Sequence, residues 1–478
     1  MKRILTIALF VFPFCVVFGQ SKAELTNRAV LNKIEFFINT QMTDSIYNLA
    51  AESFKQEVSA DKFGFIINNL YQLGKIKNVE LLDFKQETGT YLLEFPSSFI
   101  QLQLTVNPAY NFEGILFAPG KKPVASPVVE KVVLSEVERL SPTDFVVDSL
   151  AKIYSKNPLT NSLAIGVFHN NKYQSYFYGS THKGGSSLAS DATIYEIGSI
   201  SKVFTSILLA DLVNKNILKL EDPISKFLPD SLASNPDLQK ITFKQLANHS
   251  SGLPRLPENW DKVAGFNPKD PYANYDRKAL YAYLKGYKAK RPAGESYEYS
   301  NLGAGLLGEL IATISKKPYA TYLKEIIFTP LQMTSSTDKP TAQNPLFIPV
   351  YNDQGVETAA WNFQAMLAAG GIKSSLHDMM LFAVEQLKMP QTSLQHAMAL
   401  TREYSISTPS NSDVGLGWHM NMVDQGIYFW HNGGTGGSRS FIGVAPDTKT
   451  AIVVLSNTAI SVDELSVGIL EKLMESKN

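Results

Sequence analysis

The sequence predicts an α+β protein: an antiparallel sheet flanked by helices, an all-helical lobe beside it, and a small α+β domain ahead of both. Three observations carry this. Apolar runs of strand length and style lie at both ends of the long C-terminal part, at 163–168 and 173–178 and again at 426–431, 440–444 and 450–455. Between them the spacing turns helical. Ahead of them, 23–72 reads as helix and 76–118 as alternating strands. Period two marks a half-buried strand, and three-four spacing an amphipathic helix.

A chain of 478 residues has room for two or three domains, and 44% hydrophobic content supplies their cores. Lys+Arg and Asp+Glu each number 44. That balance gives no electrostatic reason to expect nucleic acid or an anionic membrane as partner. At the N-terminus, Lys2 and Arg3 precede an uncharged, mainly apolar run over 4–18, which ends at Gly19-Gln20-Ser21. This is the charged region, hydrophobic region and small-residue exit of an export signal over 1–20. Its cleavage leaves a periplasmic or secreted protein without stable membrane insertion. The run is short for a transmembrane helix; an uncleaved anchor is the alternative. The single cysteine, Cys15, lies inside it, after a bulky Phe14 that argues against a lipid-modified terminus. A chain cut near residue 20 has no thiol, which excludes disulfides, zinc–thiolate sites and a cysteine nucleophile.

Leu25, Val30, Leu31, Ile34, Phe37 and Ile38 recur at helical spacing, and 54–70 continues the pattern. The strands that follow complete a small accessory domain over 21–118. Its architecture resembles the cone-shaped cystatin and nuclear-transport-factor-like folds. It carries no cluster of catalytic residue types, so an accessory role or oligomerisation is expected of it. Pro119, Gly120, Pro123 and Pro127 mark a linker over 119–144. The main domain, 145–478, opens with a helix at 145–155 and a hairpin turning at His169-Asn170-Asn171-Lys172. Its middle holds a helix from about 199, a strongly apolar helix over 302–314 with glycines at 303, 305 and 308, and another helix from 368 to about 387. Strands and a closing helix from 461 end it. The two ends of the domain must therefore join in one sheet, with the central helices as a separate lobe.

Chemistry concentrates in three stretches. Ser199 and Lys202, three apart at a helix start, share one face, and a serine hydroxyl becomes a nucleophile when a base takes its proton. Ser-x-x-Lys also occurs at Ser59, Ser149, Ser180 and Ser336, so the pair alone reads equally as a cap and a solvated charge. Tyr299-Ser300-Asn301 precedes the glycine-studded helix. His431-Asn432-Gly433-Gly434 ends a strand in a glycine-rich turn, where bare backbone can approach a substrate and N–H groups can face an oxyanion.

These motifs in this order, Ser-x-x-Lys, Tyr-x-Asn and His-x-Gly, resemble the serine hydrolases of the class C β-lactamase and D,D-peptidase group, which also contains esterases and D-aminopeptidases. Glu196-Ile197-Gly198, 220–223, 246–254, 330–333 and Gly415-Leu416-Gly417-Trp418 match the same style, so the resemblance covers about 145–478. It implies a β-lactamase/transpeptidase-like fold, no cofactor and no metal, and a small-molecule or short-peptide substrate. By the resemblance Ser199 is acylated and Lys202 and Tyr299 share the proton work, each with its pKa lowered by neighbouring cations. Which of the two is the base stays open. Asn301 would bond Lys202 and the substrate amide. His431, where β-lactamases carry lysine, would add a titratable charge or relay a proton. Asn432 and Gly433 would contribute to substrate binding, and the N–H groups of Ser199 and Gly434 would form the oxyanion hole. Asn432 stands where a carboxylate-binding hydroxyl is usual. With His431 in the place of lysine as well, this favours an esterase, amidase or D-amino-acid peptidase over the alternative, a β-lactamase or D,D-carboxypeptidase.

Other classes fit less well. A nucleophile elbow needs Gly-x-Ser-x-Gly and a zinc hydrolase His-Glu-x-x-His; neither occurs. The seven histidines are scattered along the chain and most read as turn or surface residues, with His249 in its Ser/Gly turn read as structural. A non-catalytic peptidoglycan- or partner-binding protein would show decay in a motif, and all three are complete.

Overall fold

The computed structural model describes residues 22–85, 87–120, 133–339, 344–409 and 412–476. The expected export signal lies outside them. Two compact units divide between Val129 and Glu130.

In the first unit, helices α1 (Lys22–Asn39), α2 (Thr43–Asn48), α3 (Glu52–Glu57) and α4 (Ala60–Tyr71) precede a four-stranded antiparallel meander. Its strands are β1 (Asn78–Lys85), β2 (Thr88–Glu94), β3 (Phe99–Val106) and β4 (Phe112–Pro119), in that order. Ile34, Phe63, Tyr91, Leu102 and Phe112 share its core. Asn27 is fully buried there: its amide nitrogen donates to the Leu104 carbonyl at 2.7 Å, and its oxygen accepts from the Tyr91 hydroxyl at 2.8 Å. A buried amide without those partners would cost about 1–3 kcal/mol, so Asn27 fixes α1 on the sheet.

The second unit is built on an eight-stranded antiparallel sheet. Its strands in chain order are β5 (Leu163–His169), β6 (Lys172–Tyr178) and, after a separate pair β7 (Ile194–Glu196) and β8 (Lys373–Ser375), β9 (Ile406–Ser407), β10 (Asp413–Val414), β11 (His419–Val423), β12 (Gly426–Gly434), β13 (Arg439–Ala445) and β14 (Thr450–Ser456). The order across the sheet is β9-β10-β11-β12-β13-β14-β5-β6. β14 pairs antiparallel with β5, Val453 opposite Gly166, so the ends of the unit close one sheet as expected. Asn170 and Asn171 turn the β5–β6 hairpin with φ of 51° and 57°, the left-handed pair a two-residue hairpin needs.

Strand alternation sorts β14 between two cores. Ala451, Val453 and Leu455 face the helical lobe, while Ile452 and Val454 face α5 (Pro142–Ser155) and the closing helix. Covered on both sides, the strand is apolar throughout. α5 starts at Pro142, three residues earlier than the periodicity indicates, because Ser141 and Asp144 form a capping box. Residues of the expected linker also join this unit: the Gly179 N–H donates to the Leu134 carbonyl, and Ser135 bridges to Tyr178.

The lobe contains α6 (Ser201–Asn214) and α7 (Asn301–Ser315). The helix expected from 368 to 387 is three pieces: one turn Leu367–Gly370, strand β8, and α8 (Leu376–Glu385). β8 pairs with β7, Lys373 opposite Glu196, and the Ser375 side chain then caps α8. Tertiary pairing overrides the local helical pattern at Gly370-Gly371. The chain closes with α9 (Asp463–Glu475). Among the described residues no helix is long and apolar enough to cross a membrane.

Candidate active site

Ser199 lies in a single 3-10 turn, Gly198–Ile200, between β7 and α6, two residues before the α-helix proper. Gly198 has φ +50°, and a Cβ there would meet the Gly434 nitrogen at 2.6 Å. Only glycine lets the turn press against the end of β12. Beneath it, the buried Glu196 carboxylate accepts the Trp361 N–H and the Thr435 hydroxyl, each at 2.6 Å. Those bonds tie the strand before Ser199 to the loop after β12.

Every α6 residue from Ser201 to Leu212 is buried, which is why the helix is apolar on all sides. Lys202 and Asp211 are its buried charged residues, and Lys202 is 2% exposed. Its Nζ is 3.0 Å from Ser199 Oγ and donates to the Ala369 carbonyl at 2.6 Å. Burial first, then the Arg255 charge, pulls its pKa well below lysine's ordinary value. The Ala369 carbonyl arrives through close packing: a Cβ on Gly308 of α7 would stand 2.3 Å from Ala368 Cβ. The glycine-studded helix thus seats the turn that holds the lysine. Asn301 does not bond Lys202. Its nitrogen donates to the Tyr272 hydroxyl at 3.1 Å, and its buried Oδ1 has no partner.

Tyr299 hydrogen-bonds Ser199, and its ring centroid lies 4.7 Å from Lys202 Nζ. Its pKa is raised, not lowered: desolvation outweighs the Ser199 hydrogen bond and the Arg255 charge. Burial thus favours the neutral form of both groups.

The described histidines are less scattered in space than in sequence. The His249 ring lies tilted, 4.5 Å from the Tyr299 ring; His431 lies 6.4 Å from that ring and 5.4 Å from His419. His249 has φ +62°, its carbonyl accepts the Glu298 N–H at 2.7 Å, and its Nδ1 accepts the Ser300 N–H at 3.2 Å. It clamps both sides of Tyr299, a role its turn context concealed. Arg255, also unnoticed in the sequence, places its guanidinium 5.0 Å from the Tyr299 ring centroid. No group of described residues has metal-ligand geometry.

On β12 the expected residues part company. His431 is 2% exposed, with Nδ1 against the Asn432 carbonyl and Nε2 buried without a partner. Burial, then His419 and Lys202, holds its pKa well below that of an ordinary histidine. It adds no positive charge at neutral pH, against the first of the two roles expected of it. Asn432 turns to the other side and donates to Asp463 at 2.9 Å, at the head of α9, as alternation along a strand requires. Gly433 is bare for a different reason than substrate approach: a Cβ would lie 2.0 Å from the Ile197 carbonyl and 2.3 Å from Ser440 Oγ. Ser440 Oγ itself donates to the Ile197 carbonyl at 2.8 Å. Gly434 ends the strand beside the Ser199 turn.

A family model described as Beta-lactamase matches residues 150–471. The chain belongs to the β-lactamase family. It is thereby a serine hydrolase of that fold, and the match leaves the first unit outside it. Among curated relatives, the D-alanyl-D-alanine-carboxypeptidase/endopeptidase AmpH of Escherichia coli K12 is 27% identical over 316 residues, 63% of this chain and 80% of the relative. Protein flp of Staphylococcus aureus MW2 is 30% identical over 277 residues, 56% of this chain and 54% of the relative. Among solved structures, a class C β-lactamase from Rhodobacter sphaeroides superposes with TM-score 0.60 at 23% identity, covering 69% of this chain and 98% of the other. A β-lactamase/D-alanine carboxypeptidase from Pseudomonas syringae does so with TM-score 0.62 at 21% identity, covering 71% and 100%. At these identities the two structures establish the fold.

Proposed function

We propose that this family member cleaves an acyl bond through an acyl-enzyme on Ser199, with Lys202 as the base and Tyr299 as the proton donor. One observation carries the reading: Lys202 Nζ stands 3.0 Å from Ser199 Oγ, buried, with its pKa pulled down while that of Tyr299 is pushed up. The neutral amine takes the serine proton as Oγ bonds to the substrate carbonyl carbon. The Ser199 and Gly434 N–H groups face the oxyanion; one such donor is worth about 10²–10³ in rate. When the intermediate collapses, Tyr299 gives its proton to the leaving group and recovers one from Lys202. Water then repeats the sequence and releases the acid.

For the substrate we propose a short peptide losing its C-terminal residue. The sequence argument for an esterase rested on Asn432 and on His431 in the place of lysine, and it bears only on carboxylate recognition from β12, where Asn432 is bonded to Asp463. AmpH and the Pseudomonas syringae protein carry carboxypeptidase in their names. The second reading, an esterase or amidase for uncharged substrates, draws on His431: burial keeps it neutral where a lysine would be charged. We also read the N-terminal segment as an export signal that delivers the enzyme outside the cytoplasm; cell fractionation tests this.

The test of the chemistry is labelling by a fluorophosphonate, read by intact mass. The wild type gains one adduct and Ser199→Ala gains none; equal labelling overturns the assignment. Turnover of an N-acyl-D-Ala-D-Ala peptide, nitrocefin, a p-nitrophenyl ester and a D-amino-acid amide, side by side, separates the substrate classes. An ester rate far above the peptide rate selects the second reading.

A further inference from the structure

We infer that Glu196 is a positioning residue whose buried carboxylate sets the spacing of the two oxyanion donors. The inference rests on the acyl-enzyme reading and adds the group that holds its oxyanion site in shape. The two donors, the N–H groups of Ser199 and Gly434, come from segments 235 positions apart (434 − 199). Glu196 lies three residues before Ser199, and Thr435 directly follows Gly434. The Thr435 hydroxyl donates to Glu196 Oε2 at 2.6 Å, and this bond joins the two segments. Glu196 is 1% exposed and takes no part in the proton transfers proposed above.

Backbone contact alone does not fix the site. The two segments press bare backbone on bare backbone: a Cβ on Gly198 would meet the Gly434 nitrogen at 2.6 Å, and one on Gly433 the Ile197 carbonyl at 2.0 Å. Such a contact stops the segments from coming closer. Without side chains to interlock, it leaves them free to slide. Two side-chain bonds oppose the slide. Ser440 Oγ pins the Ile197 carbonyl at 2.8 Å, and Thr435 pins the neighbouring Glu196. A reacting group displaced by about 1 Å loses on the order of 10²-fold in rate, so a small slide would empty the oxyanion site of its effect.

Both ends of the Glu196–Thr435 bond are held. Thr435 is fixed by its own turn: its N–H donates to the Ser438 carbonyl and its hydroxyl accepts the Ser438 N–H, each at 3.1 Å, and its carbonyl accepts Arg439 Nη1 at 2.8 Å. On the other side, Glu196 Oε1 accepts the Trp361 N–H at 2.6 Å, and the Trp361 carbonyl accepts Lys373 Nζ, also at 2.6 Å. Lys373 stands opposite Glu196 in the β7–β8 pair, and its charge favours the ionised carboxylate. An ionised acceptor makes shorter and stronger bonds than a neutral one. The lysine also offsets a negative charge that would otherwise oppose the oxyanion nearby.

The experiment times the reaction of Ser199 with two probes, an alkyl fluorophosphonate and the matching fluorophosphonothioate. The P=O oxygen of the first takes the oxyanion position; the P=S sulfur of the second is larger and a weaker hydrogen-bond acceptor. The variants are Thr435→Val, Thr435→Ser and Glu196→Gln, with thermal melts to confirm folding. Thr435→Val keeps the shape and removes the bond. Glu196→Gln leaves the Thr435 turn intact, but an amide has one accepting oxygen for two donors. Either folded variant decides the question. Each is expected to lower the limiting rate of the oxygen probe about 10- to 100-fold with little change in its binding constant. The sulfur probe is expected to lose much less, so the oxygen-to-sulfur ratio falls about 10-fold. Thr435→Ser is expected to restore the wild-type ratio. The double variant is expected to lose no more than the larger single loss, because both changes remove one bond. Wild-type rates in a folded variant, or an equal loss with both probes, overturn the inference; the latter leaves Glu196 a purely structural residue. Absence of a Ser199 adduct in the wild type overturns instead the acyl-enzyme reading beneath it.

Discussion

The turn that carries Ser199 and the strand that carries His431 meet at Gly198 and Gly434, and they hold their residues by different geometry. At the helix start, positions three apart share a face, so Ser199 and Lys202 arrive together, 3.0 Å apart. Along β12, neighbours alternate. His431 reaches the Tyr299 side, Asn432 reaches Asp463, and Gly433 is an empty place filled by the Ile197 carbonyl. In the proposed reaction the helical motif works through its side chains, and the strand motif largely through its backbone and through what it leaves out.

The sharpest way to break that contrast is at Lys202. Lys202→Met keeps the volume and removes the base, and turnover is expected to fall roughly 10²- to 10⁴-fold. Stability should move the other way. The lysine's folded pKa lies below its unfolded value, so between the two the unfolded chain binds the extra proton and stability rises with pH. Below that window the native state must either bury the charge or forgo it. Methionine removes this burden, so the variant is expected to melt higher than wild type at neutral pH, with a shallower rise in stability toward alkaline pH. In the wild type, kcat/KM should fall as pH drops through the folded pKa of Lys202, with the limb well below lysine's ordinary range. A variant that melts lower at every pH would show that the lysine's bonds to Ser199 and Ala369 outweigh its desolvation.

On the strand side, Gly433→Ala is expected to cost more activity than a change of the neighbouring Asn432 side chain. Its Cβ would meet the Ile197 carbonyl at 2.0 Å, backbone against backbone, with no flexible group to give way. Overpacking of this kind costs about 1–3 kcal/mol. Moving Gly434 away from the proposed oxyanion position should lower kcat about 10²-fold. Calorimetry and steady-state kinetics read the two effects. Normal kcat in a destabilised variant would remove Gly434 from the reaction.

His249 links the two sides, because it fixes the tyrosine against which both are arranged. His249→Asn keeps a residue type that tolerates a left-handed backbone and a potential acceptor, but loses the ring beside Tyr299. A fall in kcat of roughly 10-fold with little change in KM is expected, as misplacement of a reacting group requires. A change in KM alone would assign His249 to substrate binding.

These residues differ in how far the sequence reveals them. Ser199 and Lys202 are legible because spacing on a helix fixes facing. The closed sheet is legible because strand-like runs lie at both ends of the domain. The break at Gly370-Gly371 is not, since pairing of Lys373 with Glu196 joins residues 177 positions apart (373 − 196). His249 and Arg255 are hidden for a similar reason. Each acts on Tyr299 from a loop about fifty residues upstream, and nothing local distinguishes them from turn and surface residues. The direction of the Tyr299 shift was misjudged because charges can be counted in a sequence and desolvation cannot.

The smallest expected effect is the most diagnostic of the strand geometry. Asn432 sits at the centre of the His-x-Gly motif, and a motif-based argument makes it a determinant of substrate choice. Its amide instead donates to Asp463 at 2.9 Å. Asn432→Ala is therefore expected to change kcat/KM less than about twofold on every substrate of the panel, while removing one hydrogen bond to a carboxylate, worth about 1.5–3 kcal/mol of stability. The ratio between the peptide and ester rates should stay at its wild-type value. If Asn432→Ala shifts that ratio while the melting temperature holds, the side chain leaves Asp463 for the substrate during turnover, and the alternation that separates it from His431 does not govern the working enzyme.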